Sequence, residues 1–234
     1  MKRLSIDPYL KTFEYLCIFM IMQEDLFENQ RKDMILGQGA ILFAGLAKKI
    51  DKSLLSSIQE ITQLAPFRHM KTSGGFDLSV AMTNCGLLGW VTDEAGYRYQ
   101  SFDPLSGLVW PKIPPLFLEL ALEAAERAGY SSFVPSACLI NRYVPGAKMS
   151  LHQDKDEDDL DSPIVSVSLG LPATFQFGGF NRTDPLQKLL LIHGDVVVWG
   201  GKLRLAYHGI LPLKSGHHHL TGSTRINLTF RKVF

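Results

Sequence analysis

The most chemically suggestive segment of this chain is LHQDKDE, residues 151–157, in which His152 and Asp154 stand two positions apart. Such a pair supplies two ligands of a two-histidine, one-carboxylate facial triad. This arrangement suits non-haem Fe(II) and leaves coordination positions open for oxygenase chemistry. A second histidine, His208 in RLAYHGI, is the candidate third ligand. Because 7 histidines and 23 acidic residues predict roughly 0.7 such pairs by chance, the pair is informative only together with other residues.

Those other residues lie on two segments with strand periodicity, RINLTFR and ACLINRYV. In an extended RINLTFR, one face carries four polar side chains: Arg225, Asn227, Thr229 and Arg231. In ACLINRYV, Asn141 and Tyr143 share a face in the same way. For a single strand, a polar face open to solvent is the ordinary explanation. If both faces point inward, they line a polar cavity for a metal and a small dicarboxylate, because two arginines suit two carboxylates.

Composition describes an ordinary globular chain of 234 residues, 46% of them hydrophobic and 20% charged, which is enough for a well-buried core. The net charge of +1 excludes a broadly basic surface, so a nucleic-acid site would be a local patch. Three scattered cysteines without a C-x-x-C pair indicate neither a disulfide framework nor a zinc ribbon, and favour a cytoplasmic location. The apolar run at residues 15–22 is too short to span a bilayer.

The order of patterns along the chain predicts its domain organisation. Residues 1–34 are expected to form a peripheral N-terminal arm, of which residues 1–21 would be a non-essential extension, and residues 35–234 one domain. MILGQGAILFAG predicts a single strand kinked at glycine. IDKSLLSSIQEITQLAP and PPLFLELALEAAERAGY predict two helices. After Pro135, short segments of period two predict strands. The predicted fold is therefore mainly β with flanking helices, a jelly roll or cupin-like double-stranded β-helix in which the helices buttress one sheet.

The remaining histidines carry weaker signals. His193, in an HGD turn, is expected to be structural, and the tract His217–His219 predicts a solvated loop.

Several strings together resemble one family. SVAMTNCG-x-LGW, ACLINRY-x-PGAK-x-SLHQDKDE, PIVSVSLGLPA-x-FQFGG, HGDVVVWGG, YHGI and NLTFR are similar to motifs of the AlkB family of Fe(II)- and 2-oxoglutarate-dependent nucleic-acid dealkylases. The likeness is strongest to bacterial members and runs in order through residues 22–232, so it is more specific than any single motif. Residues before it are unmatched.

The resemblance implies a role for each matched residue. The iron ligands would be His152, Asp154 and His208. The 2-oxoglutarate pocket would comprise Asn141, Tyr143, Arg225, Asn227 and Arg231, with Arg225 on the distal carboxylate and Arg231 on the carboxylate beside the keto group. The substrate contacts would be Trp90 stacking on a flipped base, Tyr97, Arg98 and Tyr99 along the nucleic-acid backbone, and Asp156 and Arg182.

The activity implied by the resemblance is oxidative demethylation of bases such as 1-methyladenine and 3-methylcytosine. It would act on alkylated single-stranded DNA or RNA, with Fe(II), 2-oxoglutarate and dioxygen, releasing formaldehyde, succinate and carbon dioxide. A monomer with no protein partner and no membrane association is expected. The alternatives are a 2-oxoglutarate-dependent hydroxylase of a protein or small molecule, and a non-catalytic cupin-like binding module. Two buried arginines argue against the binding module, since they are costly without a bound dianion.

Overall fold

The computed structural model describes residues 31–234. Its strands are β1 (Met34–Gly37), β2 (Ala40–Phe43), β3 (Arg68–Lys71), β4 (Asp77–Gly86), β5 (Gly89–Asp93), β6 (Gly96–Gln100), β7 (Ala137–Tyr143), β8 (Met149–His152), β9 (Ile164–Gly170), β10 (Ala173–Phe177), β11 (Gln187–Leu191), β12 (Val196–Trp199), β13 (His208–Ile210) and β14 (Arg225–Arg231). The α-helices in this range are α1 (Asp51–Leu64) and α2 (Pro115–Arg127), and short 3-10 turns cover Lys48–Ile50 and Gly201–Leu203.

Two antiparallel sheets form a sandwich. The larger has eight strands in the order β1-β2-β12-β9-β14-β7-β4-β3, and the smaller has four in the order β11-β10-β13-β8. After β7 the chain passes repeatedly between the two sheets, with β9, β12 and β14 in the larger sheet and β8, β10, β11 and β13 in the smaller, as in a jelly roll. The predicted double-stranded β-helix is confirmed. Strands β5 and β6 form a separate two-stranded hairpin.

Both faces of the larger sheet are covered, which is why its strands β9, β12 and β14 are buried along their whole length. One face packs on the helices: Leu54 and Ile58 of α1 and Phe117 of α2 share a core with Leu228 and Phe230 of β14. The other face packs on the smaller sheet. The helices therefore buttress one sheet, as the sequence predicts. Their apolar stripes cover the face of the larger sheet that is opposite its polar face.

The predicted kinked strand at MILGQGAILFAG is wrong, because this segment is a hairpin of β1 and β2. The turn requires Gly39, whose φ is +91° and whose added Cβ would lie 2.7 Å from the Gly200 carbonyl oxygen. Gly39 permits a left-handed backbone conformation that reverses the chain between β1 and β2. The apolar pattern of the segment alone predicts one continuous strand.

The predicted arm, residues 1–34, lies almost entirely outside the described residues. The compact unit within the described part of the chain begins at Asp33. Within residues 31–234 no helix has the length and hydropathy needed to cross a bilayer.

Candidate active site

Neighbouring strands of the smaller sheet bring the predicted triad together. His208 begins β13 and is the register partner of His152 at the end of β8, so the two imidazoles lie side by side with ring centroids 4.3 Å apart. Asp154 follows β8 by two residues and turns its carboxylate toward both rings. One ligand atom from each of the three side chains lies within 4.8 Å of the others. This strand pairing supplies what the spacing of 54 residues between Asp154 and His208 could not specify.

Backbone hydrogen bonds orient both imidazoles for metal binding. The Nδ1 atoms of His152 and His208 lie 2.8 and 3.0 Å from the carbonyl oxygens of Ser150 and Ala206, so each Nδ1 must carry the proton. Each Nε2 then presents its lone pair to the centre of the triad. The Nε2 atoms stand 3.6 and 3.8 Å from the carboxylate oxygens of Asp154. A histidine held through Nδ1 in this way is the usual support for a metal ligand.

The protonation states at the triad suit a cation. Burial raises the pKa of Asp154, but the Arg231 guanidinium and the two imidazoles outweigh burial and hold that pKa below its ordinary value. Burial, with the neighbouring His152, lowers the pKa of His208 to about 4. Near neutral pH the triad therefore offers an ionised carboxylate and a neutral His208 imidazole, the forms that bind metals.

A polar wall faces the triad from the larger sheet, as the alternation in RINLTFR and ACLINRYV predicts. Strands β14 and β7 are paired so that Arg225 stands opposite Tyr143, and Asn227 opposite Asn141. Asn227 donates to Ser166 Oγ at 2.8 Å and accepts from Thr229 at 2.9 Å. The polar faces point inward because the opposite faces of the same strands pack on the helices.

Arg225 is the least satisfied group of this wall. Its side chain is 1% exposed, its guanidinium lies over the Tyr143 ring at 4.9 Å, and Nη2 donates to Ser168 Oγ at 3.0 Å. Its Nε and Nη1 are buried and have no hydrogen-bond partner among the described residues. Burial lowers the pKa of Arg225, but an arginine remains charged at physiological pH. A buried cation with two unbonded N–H donors fits a carboxylate ligand.

Arg231, at the other end of β14, is bonded to the protein. Its Nε and Nη2 donate to Asp154 Oδ2 at 2.9 and 2.6 Å, and Nε lies 3.3 Å from Glu157 Oε1. The two arginines of one strand face therefore have different surroundings: Arg225 lacks an anion, and Arg231 pairs with the carboxylate of the triad.

A cavity of about 650 Å³ joins the triad and the polar wall. All but two of the predicted site residues line it: His152, Asp154, His208, Asn141, Tyr143, Arg225, Asn227, Arg231, Trp90, Tyr97, Asp156 and Arg182. At its mouth the Trp90 ring stacks on Tyr97 at 5.5 Å and donates through Nε1 to Asp156 at 3.0 Å. Arg182 lies 5.2 Å over the Tyr207 ring and donates to the Leu151 carbonyl oxygen.

The two exceptions are Arg98 and Tyr99 on β6. Arg98 points away from Tyr97 and Tyr99 and pairs with Asp93 at 2.7 Å. The hydrogen bond within this partly exposed ion pair raises the pKa of Arg98 and lowers that of Asp93. The Tyr99 hydroxyl donates to Glu157 at 2.5 Å instead of facing the cavity. Their substrate contacts stay predictions, and the structure gives each a protein partner.

Sequence reasoning missed Glu157 and Arg204, which are buried beside the triad and joined by an ion pair of 3.0 Å. Glu157 stands in the LHQDKDE segment, but a run of acidic residues indicates a solvated surface. Arg204 lies in an apolar segment before His208 and has no pattern of its own. Ser166 and Ser168 were detectable, since they are the alternate residues of IVSVSLG that meet the polar wall.

The other histidines behave largely as predicted. His193 accepts at Nδ1 from the Gly170 amide at 2.9 Å, and its Nε2 lies 2.9 Å from the Asp51 carboxylate, which is a structural role. His218 of the tract stacks on His193 with ring centroids 4.3 Å apart. The tract is therefore partly packed against the fold.

Comparisons with known proteins agree with this geometry. Residues 39–231 match the model of the 2OG-Fe(II) oxygenase superfamily. The alpha-ketoglutarate-dependent dioxygenases AlkB of Salmonella typhimurium and Escherichia coli are each 58% identical over 198 residues, 85% of this chain and 92% of theirs. Two relatives at 30% identity cover 62% of this chain: Arabidopsis thaliana "DNA N(6)-methyladenine demethylase ALKBH1C" and Schizosaccharomyces pombe "tRNA demethylase abh1", matched over 38% and 53% of their lengths. Among solved structures, OsALKBH1 superimposes with a TM-score of 0.75 at 27% identity, covering 86% of this chain and 99% of that one.

A jelly roll with an inward His-Asp-His triad and a buried arginine beside it defines an Fe(II)- and 2-oxoglutarate-dependent dioxygenase, which uses Fe(II), 2-oxoglutarate and dioxygen. Within that class the chain belongs to the AlkB family.

The pKa of His208 makes the stability of the metal-free protein depend on pH. Its value in the fold, about 4, is below the ordinary 6.5, so between these values the unfolded chain binds more protons and stability falls as pH falls. From pH 7 to pH 5 the wild type should lose on the order of 2 kcal/mol more unfolding free energy than His208→Gln. Urea unfolding in the presence of a chelator measures the difference. His69→Gln, at an exposed histidine, is the control; an equal change there would contradict the assignment to His208.

Proposed function

We propose that this enzyme removes alkyl groups oxidatively from the ring nitrogens of nucleic-acid bases, such as 1-methyladenine and 3-methylcytosine. The observation that carries the proposal is the lining of the cavity, which the stacked rings of Trp90 and Tyr97 share with the triad. A flat, stacked indole beside a metal site suits a planar base more than a flexible peptide side chain. Relatives named as DNA and tRNA demethylases support the same substrate class.

In this proposal His152, Asp154 and His208 bind Fe(II), and the polar wall binds 2-oxoglutarate. Arg225 receives the distal carboxylate on its unbonded Nε and Nη1, beside Tyr143 and Asn227. Arg231 and Asn141 serve the carboxylate next to the keto group. Bound iron would supply activation of dioxygen with conversion of 2-oxoglutarate to succinate and carbon dioxide. The protein positions the alkyl carbon, excludes water and lets the hydroxylated product release formaldehyde.

At the mouth, Trp90 stacks on the extruded base and Asp156 lies within reach of its edge. Arg182 and Tyr97 meet the neighbouring nucleotides, with Arg98 and Tyr99 assigned to the same backbone segment by resemblance alone. Because a base must leave its stack to enter the cavity, a single-stranded substrate has the smaller cost. We therefore propose single-stranded DNA or RNA as the substrate, and a monomer as the active form. The unpaired thiols of Cys85 and Cys138, adjacent across β4 and β7, support a reducing cytoplasm.

The proposal is tested by measuring formaldehyde released from oligonucleotides that carry 1-methyladenine or 3-methylcytosine, with Fe(II), 2-oxoglutarate and air. Asp154→Ala should abolish release and greatly weaken Fe(II) binding while the fold persists, because the triad loses its only anionic ligand. Chelation of the metal should have the same effect on the wild type, reversed by added Fe(II). Succinate production with a protein or small molecule and none with any alkylated oligonucleotide would favour the alternative hydroxylase.

Arg225 should set the preference for a five-carbon oxo-acid. Arg225→Ala loses charge-assisted bonds to the distal carboxylate, worth on the order of 2–4 kcal/mol, so the KM for 2-oxoglutarate should rise far more than that for the oligonucleotide. Pyruvate, which lacks the distal carboxylate, should be a poor cosubstrate that the substitution does not penalise further. Arg142→Ala, on the exposed face of β7, is the matched control. Equal losses with both oxo-acids would instead give Arg225 a structural role.

We also propose that residues 35–234 form the dioxygenase domain and that residues 1–21 are not essential for its activity. The family match at residues 39–231 supports the boundary. Deletion of residues 1–21 should leave kcat/KM for the oligonucleotide near that of the full chain. A loss above about tenfold, roughly 1.4 kcal/mol in the activation barrier, would give the extension a role in catalysis.

A further inference from the structure

Four charged side chains form a buried cluster behind the triad: Asp154, Glu157, Arg204 and Arg231. Each of them is less than a tenth exposed. Arg231 pairs with Asp154 at 2.6 Å and approaches Glu157 at 3.3 Å, and Arg204 pairs with Glu157 at 3.0 Å. The two cations and two anions balance, which is the condition under which buried charges are tolerated. Asp154 and Arg231 already have roles in the proposed function, whereas Glu157 and Arg204 do not.

Each of the three guanidinium nitrogens of Arg204 donates to an acceptor within the protein. Its Nε donates to the Ser162 carbonyl oxygen at 3.0 Å, Nη1 to the Asp154 carbonyl oxygen at 2.7 Å, and Nη2 to Glu157 at 3.0 Å. All three acceptors belong to the segment of residues 154–162 that follows β8. The guanidinium therefore fixes the backbone that carries Asp154 and leaves the Asp154 carboxylate to the triad and Arg231.

Glu157 connects this cluster to the mouth of the cavity. Its Oε2 accepts from Arg204, and its Oε1 accepts from the Tyr99 hydroxyl at 2.5 Å. Tyr99 stands on β6 directly opposite Trp90 on β5. Burial raises the pKa of the Tyr99 phenol, so its hydroxyl stays protonated and remains a donor. A continuous set of hydrogen bonds therefore runs from the backbone of Asp154 to the hairpin that carries Trp90 and Tyr97.

The β5–β6 hairpin needs such a connection, because its strands share no ladder with either sheet of the sandwich. Two of its other polar attachments reach the larger sheet, and the bond from Trp90 Nε1 to Asp156 at 3.0 Å reaches the segment after β8. The Asn84 side chain of β4 bonds to both backbone groups of Trp90 at 3.0 Å, and Thr92 donates to the Lys71 carbonyl oxygen at 3.0 Å. The bond from Tyr99 on β6 to Glu157 joins the hairpin to the buried cluster on the triad side of the cavity. Its loss would leave the hairpin attached to the fold but less fixed relative to the triad.

We propose that Tyr99, Glu157 and Arg204 are positioning residues that fix the distance between the base-stacking hairpin and the metal triad. This inference rests on the proposed function and adds three residues to it. In this role Tyr99 acts through its hydroxyl bond to Glu157. Correct placement matters because a small misplacement of a reacting carbon lowers the rate strongly. An alkyl group that is displaced from the metal would leave 2-oxoglutarate consumption intact while its own oxidation fails.

Tyr99→Phe is the primary test, because it removes one hydroxyl and retains the ring. In the metal-free protein, amide hydrogen exchange across residues 89–100 should accelerate by about fivefold or more, since the hairpin opens more often. The Kd for 2-oxoglutarate in the anaerobic Fe(II) protein should stay within about twofold of wild type, while formaldehyde formed per succinate should fall to about half or less. Glu157→Gln should weaken the same connection and uncouple in the same direction, because an NH2 donor replaces one of the two carboxylate oxygens that accept from Tyr99 and Arg204.

Asp93→Asn is the matched control, since it breaks the ion pair with Arg98 on the exposed side of the same hairpin. It should leave formaldehyde per succinate at the wild-type ratio. An unchanged exchange rate or an unchanged ratio in Tyr99→Phe would overturn the inference, as would equal uncoupling by Asp93→Asn. If the wild type released no formaldehyde from any oligonucleotide, the proposed function would fail, and hydrogen exchange would still decide whether Tyr99 fixes the hairpin.

Discussion

The active site depends on one constraint: polar side chains on an interior strand face must find their partners inside the protein. Strand β14 is buried along its whole length, with Leu228 and Phe230 in the helix-facing core and Arg225 and Arg231 in the cavity. Each buried donor left unpaired is costly. Three sets of groups can accept from these buried donors: residues on the neighbouring strands, the carboxylate of the triad, and a bound cosubstrate.

The two arginines show how the constraint divides structure from ligand binding. Arg231 has an acceptor within the protein, Asp154, so it contributes to the metal-free fold and helps to keep that carboxylate ionised. Arg225 has two buried nitrogens without a hydrogen-bond partner among the described residues, so binding a carboxylate there is energetically favourable. A strand with period-two alternation can present both, because residues six positions apart share a face but lie about 20 Å apart along the strand.

Much of this arrangement could be predicted from sequence, because it is encoded locally. Alternation in RINLTFR and ACLINRYV predicts the strands and their polar faces, and inward orientation follows once two helices must cover the other side. The pairing of His208 with His152 was available only through family resemblance, since register between distant strands has no local signal. Arg204 and Glu157 were missed because an isolated charged residue looks the same in a buried ion pair as on a surface. The β1–β2 hairpin was missed because a single left-handed glycine decides it.

The hairpin of β5 and β6 differs from the rest of the fold in how it is attached. Strands of the sandwich are fixed by backbone ladders, which tolerate little adjustment without loss of register. The hairpin is fixed instead by side-chain bonds from Asn84, Thr92 and Tyr99, and each of these can lengthen or break singly. Strands β8 and β13, which are paired through backbone bonds, carry the two histidines of the triad. The hairpin, which is attached through side-chain bonds, carries Trp90, the residue proposed to stack on the base.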